Sequence, residues 1–155
     1  MRTTNLIVLW NPKQEINMSL KKTHNFCPKH CNQSNHTVKF GRFGLKVLSF
    51  GRLTEKHFSS IKRFLSKVFK KISNSRKIVK FWVLKSPNFY LTKLSSESRM
   101  GKGKGSVYTK VVFLKPGTTL FEFEGVSNQQ MFKIFCFIRN QVPFKLVVTK
   151  KMLVK

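Results

Sequence analysis

The sequence predicts an α+β fold, a sandwich in which two helices pack on a mainly antiparallel sheet, preceded by an extended basic arm. Two stretches repeat apolar residues at spacings of three and four, as amphipathic helices do, and five short runs favour β structure. Their order is strand, helix, strand, loop, hairpin, helix, strand, which suits helices covering one side of a sheet. A chain of 155 residues is long enough for one modest core.

Residues 1–20 are set apart as an extension, with one apolar run over 6–10 closed by Asn11-Pro12, a turn signal. With Arg2 beside it and no small-residue cleavage site, this reads as neither a signal peptide nor an Arg-rich, Ser-rich transit peptide. A chain that works in an organelle is then expected to be made there. Residues 21–37 form the arm: polar, carrying Lys21, Lys22, Lys29 and His30, and without a hydrophobic period, so that a partner is needed to order it. His24, Cys27, Cys31 and His36 within it follow H-x2-C-x3-C-x4-H, a set that a zinc knuckle could use. The C-x3-C spacing departs from the usual C-x2-C, so no metal is assigned and the four read as free thiols and phosphate-contacting histidines.

The globular domain is expected over residues 38–150. Residues 38–47 alternate apolar side chains with glycine and with Lys39, Arg42 and Lys46, as in a strand with one buried and one basic face. Gly41 and Gly44 suit close backbone approach there, and the run lacks the aromatic ending of an RRM signature. Thr54 and Glu55 open the first helix, whose apolar face is Phe58, Ile61, Leu65, Val68 and Ile72. Lys56, Lys62, Arg63, Lys67, Lys70 and Lys71 occupy its other side. Residues 78–84 read as a strand ended by a turn at Ser86-Pro87-Asn88, and residues 107–114 and 119–124 as a hairpin around Lys115-Pro116-Gly117-Thr118. Glu122 and Glu124 share one face of that hairpin and read as salt-bridge partners, since no nucleophile, histidine or metal set accompanies them. Ser127 and Gln130 make a capping box for the second helix, with Val126 and Met131 as its hydrophobic staple. Met131, Ile134, Phe135 and Ile138 form its apolar face, and Cys136 is expected in packing. Asn140 and Pro143 end it; residues 144–149 are the last strand, and residues 151–155 a basic tail.

Charge narrows the function. Thirty-one lysines and arginines stand against five glutamates and no aspartate, a net charge of +26. Such a chain repels itself and calls for a polyanion, and each phosphate contact it makes would release counterions. A membrane surface fits less well, because no apolar run approaches the ~20 residues of a span. Abundant Lys, Asn, Ile and Phe without any alanine suit an AT-rich genome, such as that of an organelle or of an AT-rich bacterium.

Cations are interleaved with glycine at Ser98-Arg99-Met100-Gly101-Lys102-Gly103-Lys104-Gly105-Ser106. Glycine at every second position lets backbone N–H groups and cations meet phosphate together. It is not a Walker loop: Gly105 is followed by Ser106 with no lysine between, and a strand rather than a helix comes next. A nucleotide-binding enzyme is therefore disfavoured. The plain alternative is a hairpin tip that binds nothing.

Taken in order, Phe40-Gly41-Arg42-Phe43-Gly44-Leu45-Lys46, Gly51-Arg52-Leu53-Thr54, Arg99-Met100-Gly101-Lys102-Gly103-Lys104-Gly105, Pro116-Gly117 and Glu124-Gly125-Val126 resemble the bacterial and organellar family of large-subunit ribosomal protein sixteen. The resemblance covers roughly residues 21–150. It implies an α/β-hammerhead-like sandwich and a structural constituent of the large ribosomal subunit, without enzymatic activity or cofactor. It further implies binding to large-subunit rRNA near the tRNA-binding side and the peptidyl transferase region, among neighbouring ribosomal proteins and away from membranes. By the same resemblance, rRNA contact falls to Arg99, Lys102 and Lys104, with Gly101, Gly103 and Gly105 permitting the approach, joined by Lys39, Arg42, Lys46 and Arg52. The arm, through Lys21, Lys22, Thr23, Phe26, Lys29 and His30, would lie near tRNA acceptor ends, although the family's dense basic run is diluted here by Asn25, Cys27, Cys31, Asn32 and Gln33. The expected location is a mitochondrial ribosome, the protein being organelle-encoded, with a plastid or a bacterial cytoplasm as alternatives. The competing class is a free basic organellar DNA-binding protein, which would sediment with nucleoids instead of ribosomes.

Overall fold

The computed structural model describes residues 8–10, 31, 36–72, 79–99, 101 and 103–151. Its elements are β1 (Val8–Trp10), β2 (Phe43–Val47), β3 (Gly51–Thr54), α1 (Glu55–Ile72), β4 (Lys80–Val83), β5 (Phe89–Lys93), β6 (Ser106–Leu114), β7 (Thr119–Glu124), α2 (Asn128–Gln141) and β8 (Leu146–Lys150). The strands form two sheets, ordered β1-β4-β7-β2-β8 and β3-β6-β5. Every pairing is antiparallel except β1 with β4, so the α+β expectation holds, with two sheets in place of one. Residues 8–10, within the stretch set apart as an extension, are the edge strand of the larger sheet.

Both helices form where the periodicity places them. On α1 the buried residues are Phe58, Ile61, Leu65 and Phe69, while Val68 and Ile72 are only partly covered; from Ile61 on, the stripe advances in steps of four. Lys56, Arg63, Lys67, Lys70 and Lys71 are exposed on the rest of its surface. Ahead of it, the Thr54 hydroxyl lies 3.1 Å from His57 Nδ1. At the start of α2 the capping box is complete: the Gln130 N–H donates to Ser127 Oγ at 3.3 Å and the Ser127 N–H donates to Gln130 Oε1 at 3.0 Å. Val126 and Met131 are buried on either side of it. Cys136, expected in packing, is exposed. It sits two residues from both Ile134 and Ile138, which at about 100° per residue turns it to the far side of the helix.

The core is aromatic. Phe121 and Phe123 of β7, with Phe81 of β4, meet Phe58 and Phe69 of α1 at ring separations of 5.9–6.2 Å. Each such burial contributes roughly 2 kcal/mol. Phe64 and Phe137 stack at 3.4 Å and join the two helices.

The hairpin expected from residues 107–124 does not form. Its two runs are indeed strands, β6 and β7, but they lie in different sheets. Gly117 takes φ 86°, and the Thr118 N–H reaches Lys115 O at 3.3 Å, so the Pro-Gly turn is made as its residues demand. Beyond the turn the chain is captured by β2: the Gly117 N–H donates to Val47 O at 2.7 Å and the Val47 N–H to Thr118 O at 2.9 Å. A tight turn fixes the direction of the chain and leaves the choice of strand partner to tertiary packing. Ser86-Pro87-Asn88, by contrast, makes no turn; it carries the chain from the larger sheet to β5 in the smaller one.

Candidate nucleic-acid interface

Two basic segments anchor differently on this frame. The first, the root of the arm, runs over residues 36–42, because the strand expected from residue 38 begins only at Phe43. It crosses the face of the larger sheet opposite the helices, where Gly44 and Glu122 pair across β2 and β7. Glu122 is fully buried, and its carboxylate accepts the backbone N–H groups of Lys39 at 3.0 Å, Phe40 at 2.6 Å and Gly41 at 2.9 Å. It was expected to form a salt bridge; it instead holds three amide donors that would otherwise lack partners. The expected basic strand face is therefore covered by the arm root, and Lys46 on it is half-buried.

Gly41 has no alternative at this position. A Cβ there would lie 2.5 Å from the carbonyl oxygen of Phe123 and 2.9 Å from its backbone carbon and nitrogen. The closeness lets the Arg42 N–H reach Phe123 O at 2.9 Å. Lys151 closes the other side, its N–H donating to Arg42 O and its Nζ to Lys39 O. Lys39 and Arg42 are thereby held with exposed side chains, the Arg42 guanidinium 5.4 Å from the Phe43 ring. Beside them Phe40, half-exposed, stacks on Trp82 at 6.0 Å.

The second segment is the glycine loop joining β5 to β6. Arg99, Gly101, Gly103 and Lys104 are exposed and Gly105 is partly covered, while Lys102 lies outside the described residues. Among the described residues, a Cβ on Gly103 would meet nothing within 4 Å, and one on Gly101 only Arg99 O at 4.0 Å. Gly105 differs, since its Cβ would stand 2.5 Å from Lys93 O at the closing pair of the two strands.

Arg52 is not brought to the loop. It is exposed on β3 opposite Phe113, seven residues along β6 from Ser106, or about 23 Å at ~3.3 Å per residue. The candidate contacts are thus spread over the molecule and do not converge on one pocket. Of the arm residues, Lys21, Lys22, Thr23, Phe26, Lys29 and His30 lie outside the described residues, as do His24 and Cys27 of the possible zinc set; Cys31 and His36 are described and exposed. Two features escaped the sequence reading. Glu122 acts on residues more than 80 positions away, which no local pattern reveals. Tyr108, on β6 next to the loop, stands 59% exposed, and only its alternation with Lys110 hinted at an outward face.

Among the described residues no helix is long and apolar enough to cross a membrane. The family profile described as ribosomal protein L16p/L10e matches residues 16–149. Over 129 residues the chain is 52% identical to the large ribosomal subunit protein uL16m of Chondrus crispus, covering 83% of this chain and 93% of that one. It is 36% identical over 115 residues to uL16 of Psychrobacter arcticus, covering 74% and 80% of the two chains. It is 33% identical over 119 residues to uL16 of Buchnera aphidicola, covering 77% and 83%. Since the match takes in the arm root, both helices and the glycine loop, the chain belongs to the L16p/L10e family of ribosomal proteins.

Proposed function

We propose that the chain is a structural constituent of the large subunit of the mitochondrial ribosome, where its glycine loop and basic arm bind large-subunit rRNA. The observation that carries the loop's part is the space around Gly101 and Gly103: no described residue crowds either one, so the demand for glycine comes from what approaches from outside. With Arg99 and Lys104 exposed on the same loop and a net charge of +26 on the chain, a phosphate backbone meets that demand.

The mechanism requires no chemistry from the protein. Lysines and arginines neutralise phosphates where RNA segments crowd, and the loop and arm follow irregular RNA that a deep A-form groove would hide. Lys39, Arg42, Lys46 and Arg52 extend the contact away from the loop. The arm residues Lys21, Lys22, Lys29 and His30 reach toward tRNA acceptor ends, and neighbouring ribosomal proteins complete the surroundings. The relatives' names, large ribosomal subunit proteins of mitochondrial and bacterial type, support this reading and lend none to a free DNA-binding protein.

Replacing Arg99, Lys102 and Lys104 together by alanine tests it. The expected result is reduced incorporation into large subunits on density gradients, or reduced tRNA occupancy of those that form. Normal incorporation with normal peptide-bond formation would overturn the assignment of the loop.

A further inference from the structure

We propose that Tyr108, flanked by Lys56 and Lys93, is a stacking seat for an unpaired base of the bound RNA. The inference rests on the RNA-binding reading above and adds to it a contact with a base where the loop offers contacts with phosphate. The chain has 16 phenylalanines and only two tyrosines. Buried phenylalanines build the core, whereas both tyrosines lie in the smaller sheet with a lysine against the ring: Lys110 at 5.9 Å from Tyr90, and Lys56 and Lys93 each at 5.6 Å from Tyr108. Lys56 Nζ is also 3.5 Å from the Tyr108 hydroxyl, so it stands nearer the hydroxyl end than the centre of the ring.

The surroundings suit a planar guest. Tyr108 borders two open hollows, of about 390 and 500 Å³. Lys93, Leu94, Ser106 and Val107 line the first; Lys56, Ser59, Ser60 and Arg63 line the second, where Glu55 is the one acidic side chain among the described lining residues. Leu94 and Val107 are 50% and 39% exposed, which leaves apolar surface beside the ring that no described residue covers. Tyr108 follows Gly105 by three residues, about 10 Å along the strand, so RNA seated on the loop passes within reach. A base in a helix has its faces taken by its neighbours, whereas an unpaired base can lay one on an aromatic ring while adjacent phosphates meet lysine.

The test uses the full chain, a transcript of large-subunit rRNA containing unpaired segments and, as control, a fully paired RNA duplex. Tyr108→Ala is expected to weaken binding to the transcript about 5- to 100-fold, with an unchanged dependence on salt because no charge is lost, and to leave duplex binding unaltered. Tyr108→Trp and Tyr108→Phe should retain binding, and 4-thiouridine in the transcript should crosslink to the peptide holding Tyr108. If Tyr108→Ala binds like the unmodified protein while the Arg99, Lys102 and Lys104 variant is still impaired, the stacking seat is wrong and the RNA reading stands. If neither variant is impaired, the loop's assignment to RNA falls together with the stacking seat. Equal losses in Tyr108→Ala and Tyr108→Phe would overturn stacking in favour of the hydroxyl.

Discussion

The arm root and the tip of the glycine loop use the same ingredients, glycine alternating with cations, for opposite reasons. At the root, Gly41 is pressed against the backbone of Phe123 and the segment is gripped by the buried Glu122. At the tip, no described residue crowds Gly101 or Gly103. A glycine-rich basic motif therefore has to be sorted by what surrounds each glycine. Where the protein's own atoms crowd it, the motif builds the fold; where there is only space, it serves a partner.

Substitutions can break this contrast. Gly41→Ala is expected to have the largest effect, a loss of about 3 kcal/mol or more, because the opposing atoms are backbone and the β2–β7 register must shift. Urea unfolding followed by circular dichroism measures it, and near-normal stability would show that the root has more freedom than its contacts imply. Glu122→Gln comes next, at about 2 kcal/mol, since the amide presents one accepting oxygen to three backbone donors. Faster proteolytic cleavage near residues 36–40 should accompany that loss. Gly105→Ala should cost about 2 kcal/mol, since the atoms opposite it, Lys93 O among them, are again backbone, here at the last pair of two strands. Gly103→Ala sharpens the comparison from the other side: its unfolding free energy should match the parent's within about 0.5 kcal/mol, while its affinity for rRNA falls. Equal damage to stability at Gly41 and Gly103 would erase the distinction.

Much of the fold was legible because it is local. The capping box of α2 is spelled out by Ser127 and Gln130, and β7 occupies the six residues read as a strand. What could not be read is pairing. Lys115-Pro116-Gly117-Thr118 dictates a turn, yet β6 joins β3 and β5 while β7 joins β2 and β4. Phe89–Lys93 was missed because Ser86-Pro87-Asn88 suggested an ending where the chain only changes sheets. Cys136 was legible in principle, since its angular distance from Ile134 and Ile138 excludes it from the buried face. At the site, charge and glycine spacing marked the loop, but the clamp on the arm depends on a contact spanning more than half the chain and has no local signature.

The edge pairing of Val8–Trp10 with β4 ties residues 8–10 to the same sheet whose middle holds residues 39–41 through Glu122. Two segments well separated in the chain are thereby fixed on one frame, and the entropy of bringing them together is already spent when the protein folds. Cutting the β1 pairing should return that entropy to the chain, so that the sheet loosens first along its β4 edge.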